Sequence, residues 1–334
     1  MKTLRLHQVH DLRLSENPIP VPGPDEALIR VTAVGICGSD SHWYSEGGIG
    51  GTFLTDPLVL GHEFTAVVES GSLKGQRVAV DPAIPCNQCA RCLEGNPNLC
   101  PKVRFAGTHG VDGALAEFMV WPERNLLPIH DSLTDAEGTL LEPLGVALNA
   151  MDLGMPPVGS SVGVFGCGPI GLLVIQLARL AGASRIFATD KRLDRLEMAR
   201  RMGATYTYEA DGQESTKIWE DSDGAGVDVA IEVAGDNAAV ETAVSTARFG
   251  GRVVIVGITA DDKTTFTAST ARRKGLAIMI ARRMKFTYPR AIRLVTEGKI
   301  DVRSLVTHRF PFAEYDQAFK IAEKRAGIKV VIDL

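Results

Sequence analysis

From residue 4 to about residue 130, hydrophobic positions alternate with polar ones in short runs broken by Gly and Pro. Leu4-Arg5-Leu6, Leu12-Arg13-Leu14, Ala27 to Val34, Phe64 to Glu69, Gln76 to Val80 and Phe118 to Trp121 fit a period of two and predict strands. Many short strands of this kind predict an irregular β-barrel or sandwich. From Ser160 onward, buried apolar runs alternate with helical stretches. Val162 to Phe165, Arg185 to Thr189, Val227 to Val233, Arg252 to Val256 and Leu276 to Ala281 read as strands, with helices from Pro169 to about Ala181 and from Arg192 to Met202. That alternation predicts α/β architecture with a doubly wound parallel sheet. The acidic stretch Glu209 to Asp223 reads as a solvated face. Beyond Pro289 come a helix (Arg290 to Glu297), the segment Leu305 to Pro311, a helix (Tyr315 to Lys324) and a strand (Lys329 to Leu334). This end is expected to rejoin the first domain, because the parallel sheet is already complete. The expected division is 1–144 with 286–334, and 145–285.

The length, 334 residues, agrees with two cores. Apolar residues make up 45% and charged residues 23%, as in ordinary globular proteins. The net charge is −4 with no basic block, so neither nucleic acid nor an anionic membrane is an expected partner. The one apolar run worth testing as a membrane span, Val162 to Leu177, is interrupted by Gly163, Gly166, Gly168, Pro169 and Gly171. Met1 to Arg5 lacks the apolar core of a signal peptide, and the expected location is the cytoplasm. In that setting six cysteines point to metal rather than disulfides.

Four of them form Cys86-x2-Cys89-x2-Cys92-x7-Cys100 on a Pro/Asn/Gly-rich lobe. Four closely spaced thiolates match a closed tetrahedral zinc site of structural type, though iron–sulfur clusters also take four cysteines. A different chemistry gathers in Cys37-Gly38-Ser39-Asp40-Ser41-His42, which follows the strand Ala27 to Val34. Cys37 is read as a ligand of a catalytic zinc, with Ser39 and His42 carrying a proton away. His62 and Glu63, in Gly61-His62-Glu63, add a nitrogen and an oxygen donor and complete a three-ligand set that leaves a position open for water or substrate. Glu142 stands inside the apolar run Leu140 to Leu144. Either it opens a helix and interacts with its dipole, or it faces the metal as a fourth ligand or as acceptor for a metal-bound water.

Gly166-Cys167-Gly168-Pro169-Ile170-Gly171 joins a strand to a helix and has the G-x-G-x-x-G form. Glycines there allow a tight turn and close approach of a pyrophosphate to the helix N-terminus. Asp190 ends the next strand, nineteen residues after Gly171, where a carboxylate accepts both adenosine ribose hydroxyls and repels a 2′-phosphate; NAD is therefore expected over NADP, although Lys191 and Arg192 follow at once. Val256 and Gly257, closing a later strand, are further cofactor candidates. His7, His10, His109, His130 and His308 are read as surface or structural, Cys167 as a small residue in the turn, and Trp43 and Tyr44 as core or pocket lining.

These motifs, with Thr307-His308-Arg309-Phe310-Pro311, resemble the zinc-containing medium-chain alcohol dehydrogenases over essentially the full length. Within them the chain looks most like the polyol (sorbitol and xylitol) dehydrogenase branch. Glu142-Pro143-Leu144 stands where classical alcohol dehydrogenases have a zinc-binding Cys, and Glu46 to Gly50 and Phe105-Ala106-Gly107-Thr108 also match that branch. The resemblance implies a GroES-like catalytic domain beside a Rossmann NAD-binding domain. It implies two zinc ions per chain, with Cys37, His62 and Glu63 on the catalytic one and Glu142 at the metal water or substrate. It places Asp40 behind His62, Arg195 at the adenosine ribose, and Phe105, Thr108 and Arg283 at the substrate. Met284 departs from the branch, which carries an aromatic there, and the complete cysteine lobe departs from the mammalian sorbitol enzymes. The family pattern also implies a homo-oligomer, tetramer or dimer.

The expected activity is hydride transfer from a secondary alcohol, a polyol or sugar alcohol, to NAD, giving a ketone. L-Threonine 3-dehydrogenase and butanediol dehydrogenase share most of these motifs. Outside enzymes, the alternative is a nucleotide-binding relative that has lost catalysis.

Overall fold

The computed structural model describes residues 1–108 and 110–334; the expectation for His109 lies outside the described residues. The chain forms two compact units, Met1–Pro143 with Lys285–Leu334, and Leu144–Met284.

The first unit is built on a seven-stranded sheet whose long strand, Glu26–Gly35, alternates inward and outward side chains over most of its length. Glu63–Val68 pairs antiparallel along one edge of it, with Gly35 opposite Glu63. The final strand, Lys329–Asp333, pairs antiparallel with its last residues, Val331 opposite Gly35. Val306–Pro311 lies parallel to that final strand. The C-terminal segment thus returns to this sheet, and its apolar residues Val330 and Ile332 join a core with Ile29, Val31, Phe64, Val78 and Phe319. Trp43 and Tyr44 are both buried in the same core; Tyr44 packs on Phe319.

The second unit carries a six-stranded parallel sheet in the order Tyr206–Glu209, Arg185–Asp190, Ser161–Phe165, Val227–Glu232, Ala247–Ile255, Ala277–Ile280. Numbered along the chain, that order is 3-2-1-4-5-6, the Rossmann arrangement. Ser161–Phe165 is buried at every position, as a strand covered on both faces must be. Two features were not anticipated. Tyr206–Glu209 is an edge strand, and the acidic stretch after it contains a helix, Glu214–Asp221, with Ile218 fully buried. Glu214 is buried rather than solvated, because its carboxylate accepts from the Thr242 hydroxyl at 3.0 Å and the Gly212 N–H at 2.7 Å. Among the described residues no helix is long and apolar enough to cross a membrane.

Candidate active site

Gly38–Glu46 is a helix that begins immediately after Cys37. Asp40 in its first turn accepts the Cys37 N–H at 2.9 Å, which meets one orphan donor and places an acid at the positive end of the dipole. Gly47 closes the helix in a left-handed conformation, φ 71°. Ser39 and His42, three apart, therefore share one helical face. His42 is held by Glu46, Nδ1 to Oε1 at 2.9 Å.

The other oxygen of Asp40 accepts the Gly61 N–H at 3.1 Å and stands 3.6 Å from His62 Nδ1. The last distance is too long for a hydrogen bond, but both groups are buried and the attraction between them is strong. Burial by itself lowers the His62 pKa; the charges of Asp40 and Cys37 overcome it and hold the pKa well above the usual value. Asp40 is lowered despite its own burial, through His62 and its two backbone donors. Negative charge that binds a proton this firmly also suits a cation.

Cys37, His62 and Glu63 offer sulfur, nitrogen and oxygen ligand atoms, all within 4.8 Å of one another. Ligand atoms around a tetrahedral zinc stand roughly 3.4–3.8 Å apart, so the three are close enough to share one ion. Glu142, in the first turn of the helix Leu141–Gly154, is buried in the same neighbourhood. Loss of solvent pushes its pKa up to about 7, with Glu63 and Asp81 raising it and His62 and Lys329 opposing them. It thus both opens a helix and senses the charges of the ligand set. Phe105 lies against the His62 ring, centroids 5.2 Å apart. This contact depends on close backbone approach: a Cβ on Gly107 would meet the Gly61 N at 3.1 Å, and one on Gly113 the Gly61 O at 2.4 Å. Thr108 turns its hydroxyl back to the Phe105 carbonyl at 2.7 Å.

Lys329 was not anticipated. Its side chain is buried, its Nζ donates to Glu63 Oε2 at 2.5 Å and to the Ile36 carbonyl at 3.2 Å. Glu63 reaches it by passing over Gly35, where a Cβ would stand 2.5 Å from Oε2. Burial lowers the lysine's pKa, but Glu63 and Cys37 more than compensate, so it stays charged. A lysine opening an apolar strand reads as a solvent-facing end; only the pairing of that strand with Glu26–Gly35 turns it inward.

Cys86, Cys89, Cys92 and Cys100 also bring their sulfurs within 4.8 Å of one another. Cys89 and Cys92 are 3.5 Å apart, far beyond a disulfide and near the spacing two zinc-bound thiolates adopt. Backbone N–H donors, that of Gln88 first, lower the Cys86 thiol to about 6. Burial acts oppositely on Cys92. A set in which some thiols ionise readily and others are held back by their neighbours fits one shared cation.

In the second unit the cofactor candidates lie at the carboxyl ends of the parallel strands. Gly166 has φ 111°, and a Cβ on it would meet the Ala234 N at 2.9 Å; a Cβ on Gly171 would stand 1.9 Å from the Gly166 carbonyl oxygen. Only glycine fits both positions. Gly168 precedes the helix Pro169–Leu180, with Pro169 at its first position and Ile170 after it. Asp190 accepts the Cys167 N–H at 2.7 Å and the Arg192 N–H at 2.9 Å. Lys191 pairs with Asp236 at 2.6 Å and Arg192 with Asp194 at 2.8 Å. Arg195 Nη1 would lie 3.8 Å from a Cβ on Gly168. Val256 and Gly257 donate their N–H groups to the Glu232 carbonyl, at 2.8 and 3.3 Å. Arg283 is left-handed, φ 52°, and its carbonyl accepts from Asn149. Glu232 was missed by sequence reasoning: it is fully buried and accepts the Ala234 and Gly235 N–H groups, both at 2.7 Å.

Residues 23–131 match the family described as alcohol dehydrogenase GroES-like domain, and residues 169–297 the one described as zinc-binding dehydrogenase. A probable D-xylulose reductase A of Neosartorya fischeri is 37% identical over 98% of this chain and 95% of that protein. The sorbitol dehydrogenase of Bacillus subtilis is 35% identical over 99% and 97%. Among solved structures, an alcohol dehydrogenase from Escherichia coli CFT073 in complex with NADH superposes with a TM-score of 0.92 at 28% identity, covering 100% of this chain and 99% of that one. The chain belongs to the zinc-binding, medium-chain alcohol dehydrogenases. It is an oxidoreductase with a GroES-like unit and a Rossmann unit, and zinc is the metal of its family.

Proposed function

We propose that this chain oxidises a secondary alcohol, a polyol or sugar alcohol, to a ketone with NAD. The observation that carries the reading is the sulfur–nitrogen–oxygen set of Cys37, His62 and Glu63 with buried Glu142 beside it. Identities of 37% and 35% to a xylulose reductase and a sorbitol dehydrogenase support the substrate class. Zinc on those three residues supplies Lewis acidity that eases loss of the alcohol proton, and NAD supplies the hydride acceptor.

The chain's own residues do the rest. Asp40 fixes His62, the arrangement that ligand histidines ordinarily need. Glu142 receives a hydroxyl of the substrate or of water. Ser39 and His42 pass the proton outward along one helical face. Phe105, Thr108 and Arg283 shape the substrate's surroundings. The Gly166–Gly171 turn, with Gly168, Pro169 and Ile170 at the helix start, takes the pyrophosphate. Asp190 and Arg195 take the adenosine ribose, and Val256 and Gly257 contact the cofactor farther along. Cys86, Cys89, Cys92 and Cys100 hold a second zinc with no open position. The protein works as a cytoplasmic homo-oligomer, dimer or tetramer, a mass that light scattering measures.

The test is NAD reduction across sorbitol, xylitol, L-threonine and 2,3-butanediol. The highest kcat/KM is expected on a sugar alcohol. Threonine or butanediol ahead of every sugar alcohol would overturn the substrate class. No turnover on any of these, with zinc held only by the cysteine lobe, would mean a catalytically silent nucleotide-binding relative.

A further inference from the structure

No step above uses the buried pair Lys329–Glu63, yet the fold makes unusual provision for it. Glu63 and Lys329 sit on strands flanking opposite sides of Glu26–Gly35, both near its end. They meet only because Gly35 has no side chain. Lys329 Nζ engages Glu63 Oε2 at 2.5 Å and is fixed by the Ile36 carbonyl, one residue before Cys37. Both side chains are buried, so neither charge is screened by water.

We propose that Lys329 is a positioning residue that keeps Glu63 a displaceable metal ligand. With Oε2 held by the ammonium group, Glu63 has one oxygen to offer an ion. The ion and the lysine then compete for the same negative charge, which weakens the carboxylate–metal bond. Were a metal bound by Glu63, its carboxylate would be the ligand most easily given up to an incoming oxygen, and it would stay paired with Lys329 instead of becoming a bare buried charge. Removing Lys329 leaves the carboxylate no partner but the ion, so it would bind more firmly and be harder to displace. Nothing in this depends on Lys329 touching substrate.

The proposal rests on Cys37, His62 and Glu63 holding the catalytic metal, and the experiment separates the two. The protein is loaded with cobalt(II), and imidazole is titrated as a small metal-seeking ligand while the visible d–d bands are followed. Cys37→Ser identifies the bands of this site. Lys329→Met is expected to weaken imidazole binding by tenfold or more and to shift the bands before any imidazole is added. Glu63→Gln should bind imidazole at least as tightly as the unmodified protein. Because Lys329 acts through Glu63, Glu63→Gln/Lys329→Met should match Glu63→Gln within twofold. The double variant removes both charges and so keeps the test open if Lys329→Met alone does not fold. Unchanged bands and imidazole affinity in Lys329→Met overturn the proposal. So does a tenfold effect of Lys329→Met in the Glu63→Gln background. If Cys37→Ser alters no cobalt band, the metal reading itself fails and takes the proposal with it.

Discussion

Asp190→Asn isolates the group read as choosing between NAD and NADP. The carboxylate has two duties in the structure. It accepts the Cys167 N–H at 2.7 Å and the Arg192 N–H at 2.9 Å, which braces the glycine turn. It also presents negative charge at the end of Arg185–Asp190, where an adenosine ribose would lie. Asparagine removes the charge and keeps an acceptor for one of the two N–H groups, whereas alanine would remove both acceptors and confuse the result. A hydroxyl bonded to a charged acceptor contributes about 1.5–3 kcal/mol, of which the amide retains part, so NAD should lose roughly 5- to 30-fold in kcat/KM. Unit charges about 4 Å apart repel by about 4 kcal/mol near a protein surface, and exposure lowers this to about 3 kcal/mol, or roughly a hundredfold in favour of NADP. Lys191 and Arg192 then act as latent phosphate partners, since exposed ion pairs such as theirs with Asp236 and Asp194 are weak. The NAD/NADP preference should therefore fall by roughly 500- to 3000-fold, read from initial rates with each cofactor and checked against the melting temperature. A change below fivefold in a variant that melts normally would refute the assignment. So would a preference for NADP in the unmodified enzyme.

Cys37→Ser should abolish turnover while NAD still binds in a fluorescence titration, and should leave about one zinc per chain by elemental analysis; normal turnover would refute the catalytic site. Cys100→Ala should release the other zinc and lower the melting temperature while the Cys37 site stays loaded, because a closed four-thiolate site contributes folding energy outright. Asp81 provides a pH test: loss of solvent raises its pKa to about 6 against an N–H bond from Ala83, so the folded state holds its proton more tightly than the unfolded chain. The stability this gives is complete below about pH 3.8 and is lost as pH rises through about 6, a change of about 3 kcal/mol. Asp81→Asn should consequently melt higher than the unmodified protein at pH 7.5 and equally at pH 4; a variant less stable at pH 7.5 would sink this account.

Local pattern made much of this molecule legible. Val162, Val164 and Phe165 on one strand and Val227, Val229, Ala230 and Ile231 on the next are buried apolar residues because both sheet faces are covered, and the glycines of the Gly166–Gly171 turn announce a close approach that few other residues permit. The cysteine lobe was legible because four thiols at short spacing have few other uses. What escaped depends on distant pairing. Gly38–Glu46 has too few apolar residues to read as a helix, and it is stabilised by one carboxylate and a glycine cap. Glu214 looked solvated because its partner, Thr242, lies on another helix. Lys329 is 266 residues from Glu63, and nothing in its neighbours signals that it turns inward.

The electrostatics of the metal-ligand region connect these gaps to the chemistry. Asp40, Glu63 and Glu142 are all buried, and Cys37 adds a thiolate when it binds metal. Against them stand one buried lysine and one imidazole. Such an excess of negative charge is expensive to bury unless a cation joins it. The fold limits that cost unevenly: Asp40 is bonded to two backbone N–H groups and Glu63 to Lys329, whereas Glu142 is pushed up to about 7. Asp40 is therefore held as an anion and Glu63 is tied to Lys329, whereas Glu142 is a carboxyl that can exchange its proton near neutral pH. A group poised in that way suits a hydroxyl that must shed a proton and then leave as a neutral ketone. The charge pattern proposed to hold the metal thus separates Asp40 and Glu63, which are tied to partners, from Glu142, whose carboxyl is poised near neutral pH.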